Sequence, residues 1–234
     1  MQADDHEFLG GSDRGGRPAA VGFVAMDTIT TAIRAIDETM MQRCIQLSRE
    51  VGREGEMPFA SVVCQGEHIV AEAVNRVMRD ADVTRHAELM ALQKAQKALG
   101  RNDLSACTIY SNVEPCAMCS FPIRETRIGR VVFAIRSPLM GGFSKFGVVR
   151  DNVMSDVMPE FFGDPPEVVA GLLAEEAEQA WSDFNPIIWA VIRYRGCFGG
   201  VTSGDELCTH GHPPARLRRL NWRQIAQSLI SRRR

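Results

Sequence analysis

The chain has 234 residues, of which 45% are hydrophobic and 24% charged, an ordinary globular balance that excludes collagen, coiled coil and disorder throughout. Seven cysteines are too sparse and too odd in number for a disulfide scaffold, and no run of about 18 apolar residues is there to span a membrane. The formal net charge of −2 is uneven: residues 200–234 carry seven arginines against Asp205 and Glu206, which leaves 20 bases against 27 acids elsewhere, an acidic body and a poor surface for nucleic acid.

Residues 1–26 are rich in Gly, Asp and Arg, have no hydrophobic period, and read as a flexible leader. They lack the apolar segment of a secretory signal, so the expected location is the cytoplasm, where thiols stay reduced. A stripe at Ile29, Ile33, Ile36, Met40, Cys44, Leu47 and Val51 follows steps of three and four and predicts a helix. Gly52 and Gly55 end it. Residues 59–64 and 68–74 are short apolar runs that predict a hairpin with Gly66 in its turn. Residues 79–84 form a polar loop. Residues 84–99 are strong helix formers with Gly100 as the stop. Residues 107–113 predict a strand, 115–126 a short helix opening on Pro115, and 130–135 another strand. Residues 137–165 read as loop with a brief strand near 153–158. Residues 167–184 read as one amphipathic helix, and Asn185-Pro186 separates it from a helix over 187–194. Cys44, Cys64 and Cys107 fall on apolar faces as small core residues, and Trp181 and Trp189 fit helix packing.

This order implies a sheet covered by helices on both faces, with parallel strands wherever a crossover carries a helix. One unit is expected over 27–197. Residues 198–234 form a basic tail with a short amphipathic stretch over 222–230. Cys197, Cys208, His210 and His212 match no zinc module in their spacing.

Chemistry concentrates in two segments, His86-Ala87-Glu88 and Pro115-Cys116-Ala117-Met118-Cys119. At positions i and i+3 of a helix, two sulfurs share a face. In a first turn, free N–H groups and the helix dipole favour thiolate. One imidazole and two thiolates suit zinc and leave a fourth tetrahedral place for water. Zinc with two thiolates is formally neutral and acidifies water less than a three-imidazole site. A neighbouring carboxylate, Glu88, would fill that gap by taking the proton and passing it on to a ring nitrogen and a departing amine. His86 and Glu88 are two apart, which points side chains away from each other on a helix. Both reach one site only if they lie at the start of the helix. Each piece alone is common: C-x-x-C also serves redox pairs and structural zinc half-sites.

The combination, followed by Arg127-Ile128-Gly129-Arg130-Val131-Val132-Phe133, resembles the cytidine and deoxycytidylate deaminase superfamily. The nearest branch is that of tRNA-adenosine, cytosine and guanine deaminases, over about residues 30–195. The resemblance implies an α/β class, a three-layer α/β/α sandwich with a mixed, largely parallel sheet of about five strands. It also implies one zinc ion per chain held by His86, Cys116 and Cys119, Glu88 as proton carrier, and a homodimer with the helix after Pro115 as a contact. Less specifically, it implies that Phe59 flanks the base and Asn75 hydrogen-bonds it. Asn offers a donor and an acceptor together, which suits a heterocyclic amide edge. Core packing for Phe59 and a turn role for Asn75 remain the plain alternatives.

The sequence also departs from those relatives. Pro58-Phe59-Ala60-Ser61-Val62 replaces their usual Pro-Phe-Gly-Ala-Val. Residues 136–147 lack both the acidic residue and basic glycine-rich loop of the RNA-editing enzymes and the acidic pair of guanine deaminases. Phe143 and Phe146 in this stretch form either an apolar lid over a flat ring or packing beneath a loop. The function expected is hydrolytic deamination of a free nucleobase, nucleoside or related aminated ring, with no membrane partner and nucleic acid disfavoured. The alternatives are tRNA adenosine deamination and a non-catalytic structural zinc module. A structural site would want a fourth protein ligand and would leave Glu88 without a task.

Overall fold

The computed structural model describes residues 33–199. Its elements are α1 (Ala35–Arg53), β1 (Ala60–Gln65), β2 (His68–Val74), α2 (Val77–Asp80), α3 (Ala87–Leu99), β3 (Cys107–Val113), α4 (Ala117–Glu125), β4 (Arg130–Ile135), α5 (Asn152–Val157), β5 (Glu167–Ala170), α6 (Ala174–Phe184) and α7 (Pro186–Tyr194). Five strands form one mixed sheet in the order β2-β1-β3-β4-β5. β1 pairs antiparallel with both β2 and β3, while β3, β4 and β5 are parallel. Parallel pairing is thus confined to the β3–β4–β5 half, where α4 and the 136–166 segment make the crossovers. Gly66, at φ 59°, turns the β1–β2 hairpin.

Successive strand residues face opposite layers. Val62, Tyr110 and Val132 pack against α1, α6 and α7, with Met41 and Trp181. Val63, Ile109 and Val131 pack against α3 and α4, with Ala91 and Ile123. All six residues of β4 are buried, as a strand covered on both faces must be. The result is the expected three-layer α/β/α sandwich. Cys44, Cys64 and Cys107 are core residues, and Trp181 and Trp189 are buried.

Several local expectations are corrected. The first helix begins at Ala35; Ile33 is exposed, and Ile29 lies outside the described residues. The polar loop includes the short helix α2. Pro115 precedes α4, whose N-cap is Cys116. The brief strand near 153–158 is instead α5, because the Asp151 side chain accepts the N–H groups of Val153 and Met154 and so caps a helix start. The single helix over 167–184 divides into β5 and α6. So short a segment, with Val168, Val169 and Ala170 apolar, cannot be assigned from periodicity alone, and the open parallel edge of β4 takes Glu167–Ala170 as a strand. Gly171 at φ 88° and Leu173 at φ 54° then turn the chain into α6. The leader 1–26 and nearly all of the basic tail lie outside the described residues, with Cys208, His210, His212 and the 222–230 stretch among them.

Candidate metal centre and active site

α3 and α4 begin at the same end of the sheet, where β3 and β4 finish. His86 is the N-cap of α3 with extended backbone, φ −67° and ψ 147°. Cys116 is the N-cap of α4, φ −67° and ψ 171°. An extended N-cap swings its side chain out beyond the helix end, which removes the i, i+2 conflict between His86 and Glu88. Ala117 N–H donates to the Met140 carbonyl and Gly142 N–H to the Pro115 carbonyl, so the 137–146 segment is laced against the start of α4.

The candidate donor atoms converge. His86 Nδ1 is 3.6 Å from Cys116 Sγ and 3.4 Å from Cys119 Sγ, and the sulfurs are 3.6 Å apart. A tetrahedral zinc with ordinary bond lengths sets its sulfurs about 3.8 Å apart and sulfur from nitrogen about 3.6 Å. The donor set therefore fits zinc in chemistry and in spacing. His86, Cys116 and Cys119 are the one such grouping of His, Cys, Asp and Glu among the described residues. The Cys116 thiol is pulled down to about 4 by Cys119 and His86, while the Cys119 thiol is pushed well up by Cys116 and by burial, so that one of the two is held as the thiolate that metal binding needs.

Glu88 is buried, at 6% exposure. Ser111 Oγ donates to its Oε1 at 3.4 Å. Burial pushes its carboxyl up to about 7, outweighing the hydrogen bonds from its own N–H and from Cys119, since the charged form loses hydration that these do not replace. It lies two residues from His86, in the first turn of the same helix.

Asn75 ends β2 and is 4% exposed. Its N–H donates to the Phe59 carbonyl, and the next residue, Arg76, donates to the Arg85 carbonyl, which brings Asn75 beside the segment leading into His86. The Phe59 ring itself packs edge-on to Trp181, 4.9 Å between centroids, and to Phe198 at 6.1 Å. Phe143 packs against Phe133 and lies under the Arg150 guanidinium. Phe146 is 56% exposed. His86, Glu88, Cys116, Cys119 and Asn75 are thus gathered at one sheet end, whereas the rings of Phe59 and Phe143 are occupied in packing.

Two buried acids were not singled out from the sequence. Glu114 accepts hydrogen bonds from the N–H groups of Ser137, Phe143 and Ser144 and from the Ser144 hydroxyl, which folds the 137–146 loop onto the cysteine segment. Glu56 binds Asn75 and three backbone N–H groups. Glu114 adjoins the Pro115-Cys116 motif, a usable signal; Glu56 has none beyond its nearness to Pro58-Phe59.

The fold and the donor set define an α/β/α protein with a His-Cys-Cys group that could hold a metal ion and a buried carboxylate beside it. Residues 34–135 match the cytidine and deoxycytidylate deaminase zinc-binding region. The tRNA-specific adenosine deaminase of Bacillus subtilis is 32% identical over 148 residues, 63% of this chain and 88% of that protein. The tRNA(Ile)-lysidine synthase of Deinococcus deserti is 34% identical over 147 residues, but this chain spans only 26% of its length. Guanine deaminase from Nitrosomonas europaea shares 25% identity at a TM-score of 0.54, over 66% of this chain and 87% of that one. The chain belongs to the cytidine and deoxycytidylate deaminase family. It is a zinc-dependent hydrolytic deaminase.

Proposed function

We propose that this enzyme deaminates a free nucleobase, nucleoside or related aminated heterocycle. The observation that carries the reading is the convergence of His86 Nδ1, Cys116 Sγ and Cys119 Sγ at 3.4–3.6 Å beside the buried Glu88. His86, Cys116 and Cys119 hold the zinc. When bound, the ion supplies Lewis acidity that lowers the pKa of water in the site. Glu88 takes a proton from the attacking water and delivers it to the ring nitrogen of the amidine. It then carries the second water proton to the exocyclic amine as the C–N bond breaks, so that ring–NH2 and water become ring carbonyl and ammonia. Asn75 holds the ring edge.

Support for a small substrate comes from charge and from one segment. Residues 33–199 carry 18 Lys and Arg against 22 Asp and Glu, while RNA affinity leans on phosphate contacts. The segment over 136–147 is folded tightly by Glu114 and exposes Leu139, Met140 and Phe146 rather than a basic loop. A second reading, adenosine deamination in tRNA, is favoured by the name of the Bacillus subtilis relative. Among the described residues no helix is long and apolar enough to cross a membrane, and we place the enzyme in the cytoplasm.

Ammonia release should be measured over guanine, cytosine, adenine, their nucleosides and a tRNA bearing adenosine. Turnover of a base or nucleoside is expected. Turnover of tRNA alone would replace the first reading with the second. Cys119→Ser is expected to lose the zinc; full retention would remove that ligand. A homodimer through the outer face of α4 is also proposed. Met118, Phe121 and Phe161 are exposed there, and Phe161 and Pro122 border a groove of about 640 Å³ between α3 and α4. Light scattering on Phe121→Arg should then report a monomer.

A further inference from the structure

We infer that Glu56 is a positioning residue for Asn75: its carboxylate fixes which end of the Asn75 amide faces the substrate. The inference rests on the reading that Asn75 meets the substrate. Glu56 lies in the loop between α1 and β1 at 3% exposure. Its Oε1 accepts hydrogen bonds from Met57 N–H at 3.1 Å and Asn75 Nδ2 at 2.9 Å. Its Oε2 accepts from the N–H groups of Met78 and Arg79, each at 3.0 Å.

Three of these four donors are backbone N–H groups, which can only donate. They make Glu56 an acceptor at both oxygens, so the amide end facing it must be the NH2. A flipped Asn75 would set Oδ1 against an anionic oxygen in a buried place, where such a clash is costly. The bond made instead is charge-assisted. Asn75 Oδ1 has no protein hydrogen bond among the described residues, so the residue presents an acceptor of fixed orientation. Its backbone is fixed as well, by Phe59 on one side and by the Arg76–Arg85 hydrogen bond on the other. One buried carboxylate thereby ties the loop before β1, the end of β2 and the start of α2 to the orientation of a single amide. The substrate selected is one whose ring edge offers an N–H toward Oδ1.

Glu56→Gln makes this testable. The Gln oxygen can serve Met78 and Arg79, but its NH2 then faces Asn75 and invites that amide to flip. The full-length, zinc-loaded chain would be assayed for ammonia release from guanine, cytosine and cytidine, with Glu56→Gln, Asn75→Ala and the double variant. Loss of a charge-assisted orientation predicts a fall of about 10- to 100-fold in kcat/KM for Glu56→Gln with zinc retained. In the Asn75→Ala background the same change should cost less than about twofold, because groups acting through one another are not additive. An equal penalty in both backgrounds would make Glu56 merely structural and overturn the inference. Side-chain 15N spectra, with Asn75 assigned by its loss in Asn75→Ala, supply a readout free of any substrate. The two Asn75 amide protons should differ, one shifted downfield and slow to exchange, and Glu56→Gln should move both. Equivalent, rapidly exchanging protons in the unaltered chain overturn the inference even if Glu56→Gln does not fold or none of the three compounds is turned over. Unchanged turnover in Asn75→Ala would instead remove the substrate contact and leave the amide spectra to decide on Glu56.

Discussion

Two buried acids stand at opposite ends of the same sheet, and their surroundings could hardly differ more. At the far end, Asp37 in the first turn of α1 meets Arg130 at the start of β4. Arg130 is 2% exposed and Asp37 fully buried. Arg130 binds both oxygens of Asp37, Tyr110 donates its hydroxyl at 2.8 Å, and the Arg34 N–H donates at 2.7 Å. Burial alone would raise this carboxyl; the bonds from Arg130, Arg34 and Tyr110 outweigh it and hold it below the ordinary 3.8. At the site end, Glu88 has a long hydrogen bond from Ser111, and burial outweighs the hydrogen bonds from its own N–H and from Cys119 and leaves its carboxyl raised. Saturating an acid with donors locks it in one charge state; leaving it short of donors keeps it ready to exchange a proton.

The sharpest way to break this contrast is Glu88→Gln. It should lower ammonia release by about 10²–10⁴-fold while zinc content and urea stability stay unchanged. Retained turnover would take Glu88 out of the reaction. Asp37→Asn should show the reverse pattern. It leaves Arg130 buried beside a neutral amide, and urea unfolding at pH 7 should lose about 3–5 kcal/mol, with folded protein still loading zinc. Replacing both partners by apolar residues, Asp37→Leu with Arg130→Met, should recover part of that loss. A native carboxyl held below its unfolded value contributes stability above the unfolded pKa and loses it as pH falls through the native one. Wild-type stability should therefore drop below about pH 4, and Asp37→Asn should flatten that part of the acid limb.

Smaller changes probe the backbone around each end. A Cβ on Gly142 would overlap the Ser120 side chain, and one on Gly141 the Glu114 carboxylate. Gly142→Ala should cost about 1–3 kcal/mol and loosen the 137–146 loop from the cysteine segment, read as weaker zinc retention against a chelator. Gly100→Ala, which meets nothing within 4 Å but holds φ +62°, should cost about 1 kcal/mol through backbone strain alone and leave zinc retention unaltered.

The candidate donor residues were legible in the sequence because their chemistry is local. His86 and Glu88 fall in one triplet, and Cys116 and Cys119 on one helical turn. Strands 107–113 and 130–135 were legible as apolar runs bounded by turn residues, and both match the structure in their limits. β5 was not, because Glu167–Ala170 is extended only by pairing with β4, and that neighbour is 37 residues away in Arg130. The ring of Phe59 was equally ambiguous: nothing near it in sequence announces Trp181 or Phe198.

Amino-acid order alone pointed to the candidate reacting groups, their grouping on two helix starts and the alternation that builds a covered sheet, because spacing along a helix or strand dictates which side chains share a face. Tertiary structure alone decided the environment of each acid. Whether Glu56, Glu88, Glu114 or Asp37 is paired, saturated or left short of donors depends on segments distant in the chain. Burial strips away the water that would otherwise make all four alike.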